Sequence, residues 1–372
     1  MALGPRDTKN LVLHTGWDAT ALAKFALQDG TTYAQVVASF NTALGALNAE
    51  LRSDPLWSSL VSYTDEPGVS YRVGTSNGFE RFTEYGRADS KRAETEGHML
   101  PLVPYDRMLG WTWDYLRKAR TPDVEADIAD AIKDARDRYR LSILTRVLKR
   151  GDDSGEANGL GTSGYSAGFA TAAASTSVDF VPPAYGGTTF TSAHEHYVAI
   201  AGGAFTNAVF TDAKDELREH GHEPPYEFVI GTSDETTVVG LTGFIPVRNE
   251  LVQYGSSTTV STLGNMADMH GSYYIGTHSD FAIRVVRGVP QYYGFGWKAY
   301  GPNSQRNPLR IRLQKDMTAP QVMAMTDPRA GSGAYPLQNL MLFLEFGVGV
   351  GDRTNGTARY VNNAAWSDGT PT

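Results

Sequence analysis

The feature that most constrains this chain is an unbroken run of helical periodicity from Thr121 to Gly151. It opens on Thr121-Pro122-Asp123. Threonine suits the N-cap, proline the first helical position, and the acids Asp123 and Glu125 the first turn, where the helix dipole favours negative charge. Val124, Ile128, Ala131, Ile132, Ala135, Tyr139, Ile143 and Val147 then recur at three- and four-residue spacing. Arg146, Lys149 and Arg150 crowd the last turn, and Gly151 ends it. About 29 residues at about 1.5 Å rise make a rod of roughly 43 Å. A helix that long, predicted over about residues 122–150, is a spine for other elements.

The second constraint is a segment that lacks a core face. Between Arg72 and Glu96 stand five basic residues (Arg72, Arg81, Arg87, Lys91, Arg92) and five acidic ones (Glu80, Glu84, Asp89, Glu94, Glu96), with Tyr71, Phe79, Phe82 and Tyr85 alongside. Phe79 and Phe82 fall on opposite faces of an extended chain, so the alternation of a half-buried strand fails. Gly86 to Arg92 reads as a polar tip. The expectation is a long two-stranded ribbon projecting from the body, marginal by itself in water. Ordering it costs more than its local burial returns, so its aromatics and charges are expected to be satisfied on another subunit.

Elsewhere the pattern is mixed. From Thr31, the spacing of Tyr33, Val36, Val37, Phe40, Leu44, Leu47 and Leu51 predicts a helix capped by Thr31 or Thr32 and stopped by Asp54-Pro55. The residues before it read as an arm. A further helix is expected near Tyr105–Ala119, from the bulky Met108, Leu109, Trp111, Trp113 and Leu116. Residues 151–177 read as a Gly/Ser/Ala/Thr-rich loop, followed by a strand at Val178–Val181. Next come a short helix capped by Thr211 and ending at Gly221, a buried strand at Tyr226–Ile230, and a helix opened by Thr232 to Glu235. Strands are predicted at Ser272–Gly276, Phe281–Val286, Leu309–Leu313, Leu340–Val350 and Ala358–Val361. The class is α+β.

Composition removes several kinds of chemistry. The 372 residues include no cysteine, which excludes disulfides, thiolate nucleophiles, iron–sulfur clusters and cysteine zinc sites. A net charge of −8 argues against a surface that coats nucleic acid. No run approaches the roughly 18 apolar residues of a membrane span, and Met1-Ala2-Leu3-Gly4-Pro5-Arg6-Asp7 lacks the pattern of a signal peptide. The expectation is a soluble chain made inside the cell, in which the sequon at Asn355 is accidental.

Two motifs invite a chemical reading. Gly159-Leu160-Gly161-Thr162-Ser163-Gly164 spells a dinucleotide fingerprint, but no strand precedes it and no helix opens from it, so it reads as a loop. The pairs His194/His196 and His220/His222 have the spacing of metal ligands, with Asp212, Asp215 and Glu219 near in sequence. The plainer reading puts His220 at a helix C-terminus and His194 in a loop. No catalytic, cofactor-binding or metal-binding residue is expected.

Specific segments then point to a family. These are Phe190 to Tyr197, Thr211 to Gly221, Val289-Pro290-Gln291-Tyr292-Tyr293, Tyr300 to Leu309 and Gly347 to Gly356. With the order of arm, charged hairpin, spine helix, α/β unit and returning strands, they make the chain resemble tailed-phage major capsid proteins of the Hong Kong 97-type fold, as found in phages of actinobacteria. The resemblance implies an N-terminal arm (1–55), an extended loop (56–104), a peripheral domain holding the spine (105–185), an axial domain (186–335) and a return to the peripheral domain (336–372). It implies a shell of pentamers and hexamers around double-stranded DNA, in a virion assembled in the host cytoplasm. Scaffolding, decoration and portal proteins would be partners, with no membrane. It also implies inter-subunit contact by Arg72, Phe79, Arg81, Phe82, Glu84, Tyr85, Arg87, Asp89, Lys91 and Arg92. Some members cross-link an extended-loop lysine to an asparagine; Lys91, Asn355, Asn362 and Asn363 match no defined motif for it.

Two other classes compete with the phage shell. One is an encapsulin compartment with the same fold. The other is a metal-dependent hydrolase using His194, His196, His220 and His222.

Overall fold

The computed structural model describes residues 27–73, 94–112, 115, 118–151, 168–171, 181–246, 272–326 and 337–372. In chain order its elements are α1 (Tyr33–Ser53), α2 (Pro55–Leu60), β1 (Val61–Thr64), β2 (Gly68–Val73), β3 (Glu94–Met99), β4 (Val103–Thr112), α3 (Thr121–Leu148) and β5 (Tyr197–Ala199). There follow α4 (Asn207–Glu219), β6 (Tyr226–Ile230), a 3-10 turn at Thr232–Asp234, α5 (Glu235–Val239), β7 (Ile245–Pro246), β8 (Ser272–His278) and β9 (Phe281–Val286). The last are β10 (Tyr293–Trp297), β11 (Leu309–Leu313), β12 (Val322–Thr326), β13 (Leu337–Val350) and β14 (Thr357–Tyr360). Helix and strand are mixed throughout. The strand expected at Val178–Val181 and the glycine motif at 159–164 lie outside the described residues, apart from Val181.

The chain divides into two compact units, one of residues 1–53, 102–140 and 313–347, the other of 54–101, 141–312 and 348–372. In the first, Thr32 and Gln35 cap α1 reciprocally: Gln35 N donates to Thr32 Oγ1 (3.4 Å) and Thr32 N to Gln35 Oε1 (2.8 Å). The predicted stripe Val36, Phe40, Leu44, Leu47 and Leu51 is buried. Asn48 holds β12 with both ends of its amide, donating to the Val322 carbonyl and accepting from its N–H. Strands β4, β13 and β12 form an antiparallel set, with Leu109 opposite Leu340 and Met325 opposite Met341.

That pairing corrects the first part of the helix expected near Tyr105–Ala119, whereas Tyr115 and Lys118 beyond it are helical. Residues 103–112 are a strand in which Met108 is 54% exposed while Leu109 and Trp111 are buried. Bulky residues suggested a helix, but along Met108–Trp111 burial alternates with period two, as in a strand. Trp113 and Leu116 lie outside the described residues.

The spine is present as α3, 28 residues long. Val124, Ile128, Ala131, Tyr139, Ile143 and Val147 are buried along it, with Leu144 and Leu148 added near its end. The helix starts on Thr121 itself, one residue earlier than a threonine N-cap would put it, and Asp123 reaches back to accept from Arg120 N.

The second unit is built on a seven-stranded sheet, in the order β5-β14-β10-β6-β9-β8-β7. Its pairings are antiparallel except β5 with β14 and β6 with β9. Helix α4 buries Val209, Phe210, Ala213 and Leu217, which join Phe205, Tyr226, Phe228, Ile230, Phe281, Ile283 and Val285 in one core. At about 2 kcal/mol or more for each large apolar side chain, this is the unit's main source of stability. The helix starts after Thr206, four residues before the threonine expected to cap it; Thr211 instead donates to the Asn207 carbonyl from within the helix. Its end is as expected. Gly221 takes φ +79°, and its N–H bonds the Arg218 carbonyl.

Strand β10 had gone unpredicted because Tyr293-Gly294-Phe295-Gly296-Trp297 looks like a broken run. The glycines have a packing reason: a Cβ on Gly296 would lie 2.7 Å from Phe228 Cδ2 and 3.0 Å from Phe281 Cε1. They leave room for the core phenylalanines. Also in this unit, Asp54 ends α1 and caps α2, accepting from Leu56 N and Trp57 N. Strand β1 pairs in parallel with β11, Val61 opposite Leu309.

Candidate functional site

Two features stand out, the ribbon and the histidines. Strands β2 and β3 form a separate two-stranded antiparallel sheet, with Val69 opposite His98 and Arg72 opposite Thr95. Its root does have a buried face, contrary to expectation: Val69, His98 and the following Leu100 are buried, and Val69 and Leu100 cluster with Ala170. Gly68, Ser70, Gly97 and Met99 are exposed. Of the ten residues expected to make inter-subunit contact, Arg72 lies in β2. Phe79, Arg81, Phe82, Glu84, Tyr85, Arg87, Asp89, Lys91 and Arg92 lie outside the described residues.

The histidines divide three to one. The β5–β14 pairing sets Tyr197 opposite Ala358 and brings His196 against Gly356, while the end of α4 delivers His220. The Nε2 atoms of His194, His196 and His220 converge at 2.9–3.0 Å from one another. His196 is fully buried, and the side chains of His220 and His194 are 2% and 17% exposed. Phe190 packs its ring against His194 and His220. Glu219 Oε1 lies 3.3 Å from His194 Nε2. His222 turns elsewhere, to Tyr300 Oη (2.8 Å) and Thr354 Oγ1 (3.1 Å), and Asp212 and Asp215 are exposed on α4.

Burial dominates the electrostatics. It pushes His196 well below the ordinary imidazole range, with His194 adding to the effect. Burial, and then His196 and His194, lower His220 to about 2. Beside them, Glu216 is nearly buried; desolvation raises its pKa, opposed by Arg359 at 2.8 Å and by the hydroxyl of Thr357.

Sequence reasoning missed this polar interior. Arg359, Arg353 and Arg146 are all buried. Arg353 donates to the carbonyls of Gly168 and Phe169, and Arg146 to those of Lys149 and Gly151, so one of the basic residues expected at the end of the spine caps it from inside. Asn355 is buried with its amide bonded to Lys298 and Arg306, whereas Asn362 and Asn363 are exposed. No local pattern marks which arginine will be buried.

No protein-family model matches the chain, and neither does any curated protein. Solved structures do. One from Mycobacterium phage Patience superposes with a TM-score of 0.61 at 17% identity, over 94% of each chain. The chain shares the fold of that phage structure. The capsid of the native GTA particle matches with a TM-score of 0.48 at 13% identity, over 83% of this chain and 89% of that one. The encapsulin complex of Synechococcus elongatus matches with a TM-score of 0.45 at 12% identity, over 85% of this chain and 91% of that one.

Proposed function

We propose that this chain is a major capsid protein, copies of which assemble into a closed icosahedral shell around the double-stranded DNA of a tailed phage. The observation that carries this reading is the fold shared with the phage Patience structure over nearly the whole chain. The role is structural rather than enzymatic. The Hong Kong 97-type layout goes with it: arm 1–55, extended loop 56–104, peripheral domain 105–185 with return 336–372, and axial domain 186–335. The ribbon root supports an extended loop, since its two strands pair only with each other among the described residues. Its charged remainder then makes the inter-subunit contacts. Many weak, interlocking contacts stabilise such a shell through multivalency. Packaged DNA is enclosed without sequence recognition, and scaffolding, decoration and portal proteins complete a virion built in the host cytoplasm.

The test is light scattering with negative-stain electron microscopy on the purified protein, alone, co-expressed with a scaffold, and from infected cells. Closed particles tens of nanometres across are expected, containing DNA. Particles filled with an enzyme would make the chain an encapsulin instead. A small oligomer under every condition would end the shell reading.

A further inference from the structure

The histidine trio poses a proton-counting problem. His196 Nδ1 lies 2.6 Å from the Gly356 carbonyl oxygen, which only accepts, so Nδ1 carries the ring proton and Nε2 presents a lone pair. That lone pair faces the Nε2 atoms of His194 and His220 at 3.0 Å, and these two stand 2.9 Å apart. Among neutral rings every arrangement leaves a bad contact. With no proton on the other two Nε2 atoms, three lone pairs converge. With one proton, the bare nitrogen of His196 still opposes a second bare nitrogen. With two, N–H meets N–H.

We propose that His194, His196 and His220 bind one divalent transition-metal ion through their Nε2 atoms, and that the ion fastens the end of α4 to the β5–β14 edge of the sheet. A cation turns all three lone pairs from mutual repulsion into ligation. The bond from His196 Nδ1 to Gly356 is the outer support that ligating imidazoles characteristically have, fixing tautomer and ring orientation. An ion about 2.1 Å from each nitrogen would sit roughly 1.2 Å off the plane of the three, and opening the nitrogens to about 3.4 Å apart would complete a tetrahedral arrangement. Glu219 stands at the rim of the trio, its Oε1 3.3 Å from His194 Nε2 and 3.9 Å from His220 Nε2, outside the set of atoms that all converge. Three imidazole nitrogens suit zinc and its neighbours. The burial of His196 and His220 and the cover of Phe190 favour a brace over an open catalytic centre. All ligands come from one chain, so the site stands whether or not the chain forms shells.

The experiment uses the full chain without a histidine tag, grown with zinc and purified without chelator. Mass spectrometry of metal content should find about one zinc ion per chain, with at least a tenfold drop in His220→Ala and His194→Gln. Chelator-treated wild type should take up one equivalent of cobalt(II), developing its visible absorption, and should unfold several degrees lower than the zinc form. His222→Ala should keep the metal. Folded wild type that holds less than a tenth of an equivalent of zinc and takes up no cobalt would overturn the proposal. So would unchanged metal content in soluble His194→Gln, a substitution at the most exposed of the three rings and therefore the one best tolerated by the fold.

Discussion

The ribbon β2–β3 and the seven-stranded sheet belong to the same compact unit and treat their side chains in opposite ways. In the sheet, all five residues of β10 are buried, and Phe228 of β6 and Phe281 of β9 meet Phe210 of α4 in one core. At the ribbon root only one face is covered. Val69 and His98 turn inward, while Met99 is 46% exposed on the other side. A sheet that buries an aromatic face against its own helix can hold itself together. A two-stranded ribbon with one open face depends on contacts from outside. The difference separates what folds the subunit from what the proposed shell would use.

The largest effect should come from removing residues 74–93 and joining β2 to β3 by a short turn. The unassembled subunit should keep its circular dichroism and thermal midpoint, while closed particles disappear from electron micrographs. Normal particles would erase the distinction. Glu216→Ala tests the opposite side. It strips the buried Arg359 of its carboxylate, and losing one partner of such a pair costs about 3 kcal/mol or more. Urea unfolding measures it, and a loss below about 1 kcal/mol would mean the pair matters little to the sheet.

Smaller effects refine the picture. Gly296→Ala drives a Cβ toward the Phe228 ring and should cost about 1–3 kcal/mol in the same measurement; a neutral result would show that the core yields. At the ribbon root, burial, and then Arg353, Arg146 and Arg310, hold His98 down to about 3, against 6.5 for a free imidazole. The unfolded chain therefore takes up this proton as pH drops below 6.5, while the folded chain does not until about 3. Its contribution is complete above pH 6.5 and shrinks by about 1.4 kcal/mol per pH unit below it. Thermal midpoints from pH 7 to 5 should fall less steeply in His98→Gln than in wild type. Parallel curves would show that His98 does not titrate as its burial requires.

Periodicity determined the spine, α1 and the strands β6, β9 and β11, because each advertises its face within a few residues, and Gly221 marked the end of α4. It also singled out the ribbon and put His220 at the end of a helix. What it could not supply was decided in three dimensions. Residues 103–112 are a strand because β13 lies beside them to accept the pairing. Strand β10 tolerates its glycines because phenylalanines from β6 and β9 fill the space. The two histidine pairs became a trio and an outsider because β14 places Gly356 beside His196, 160 residues away in the chain, and Thr354 beside His222. Spacing of two can put side chains on one face of a strand, but only long-range pairing decides which distant atoms that face will meet.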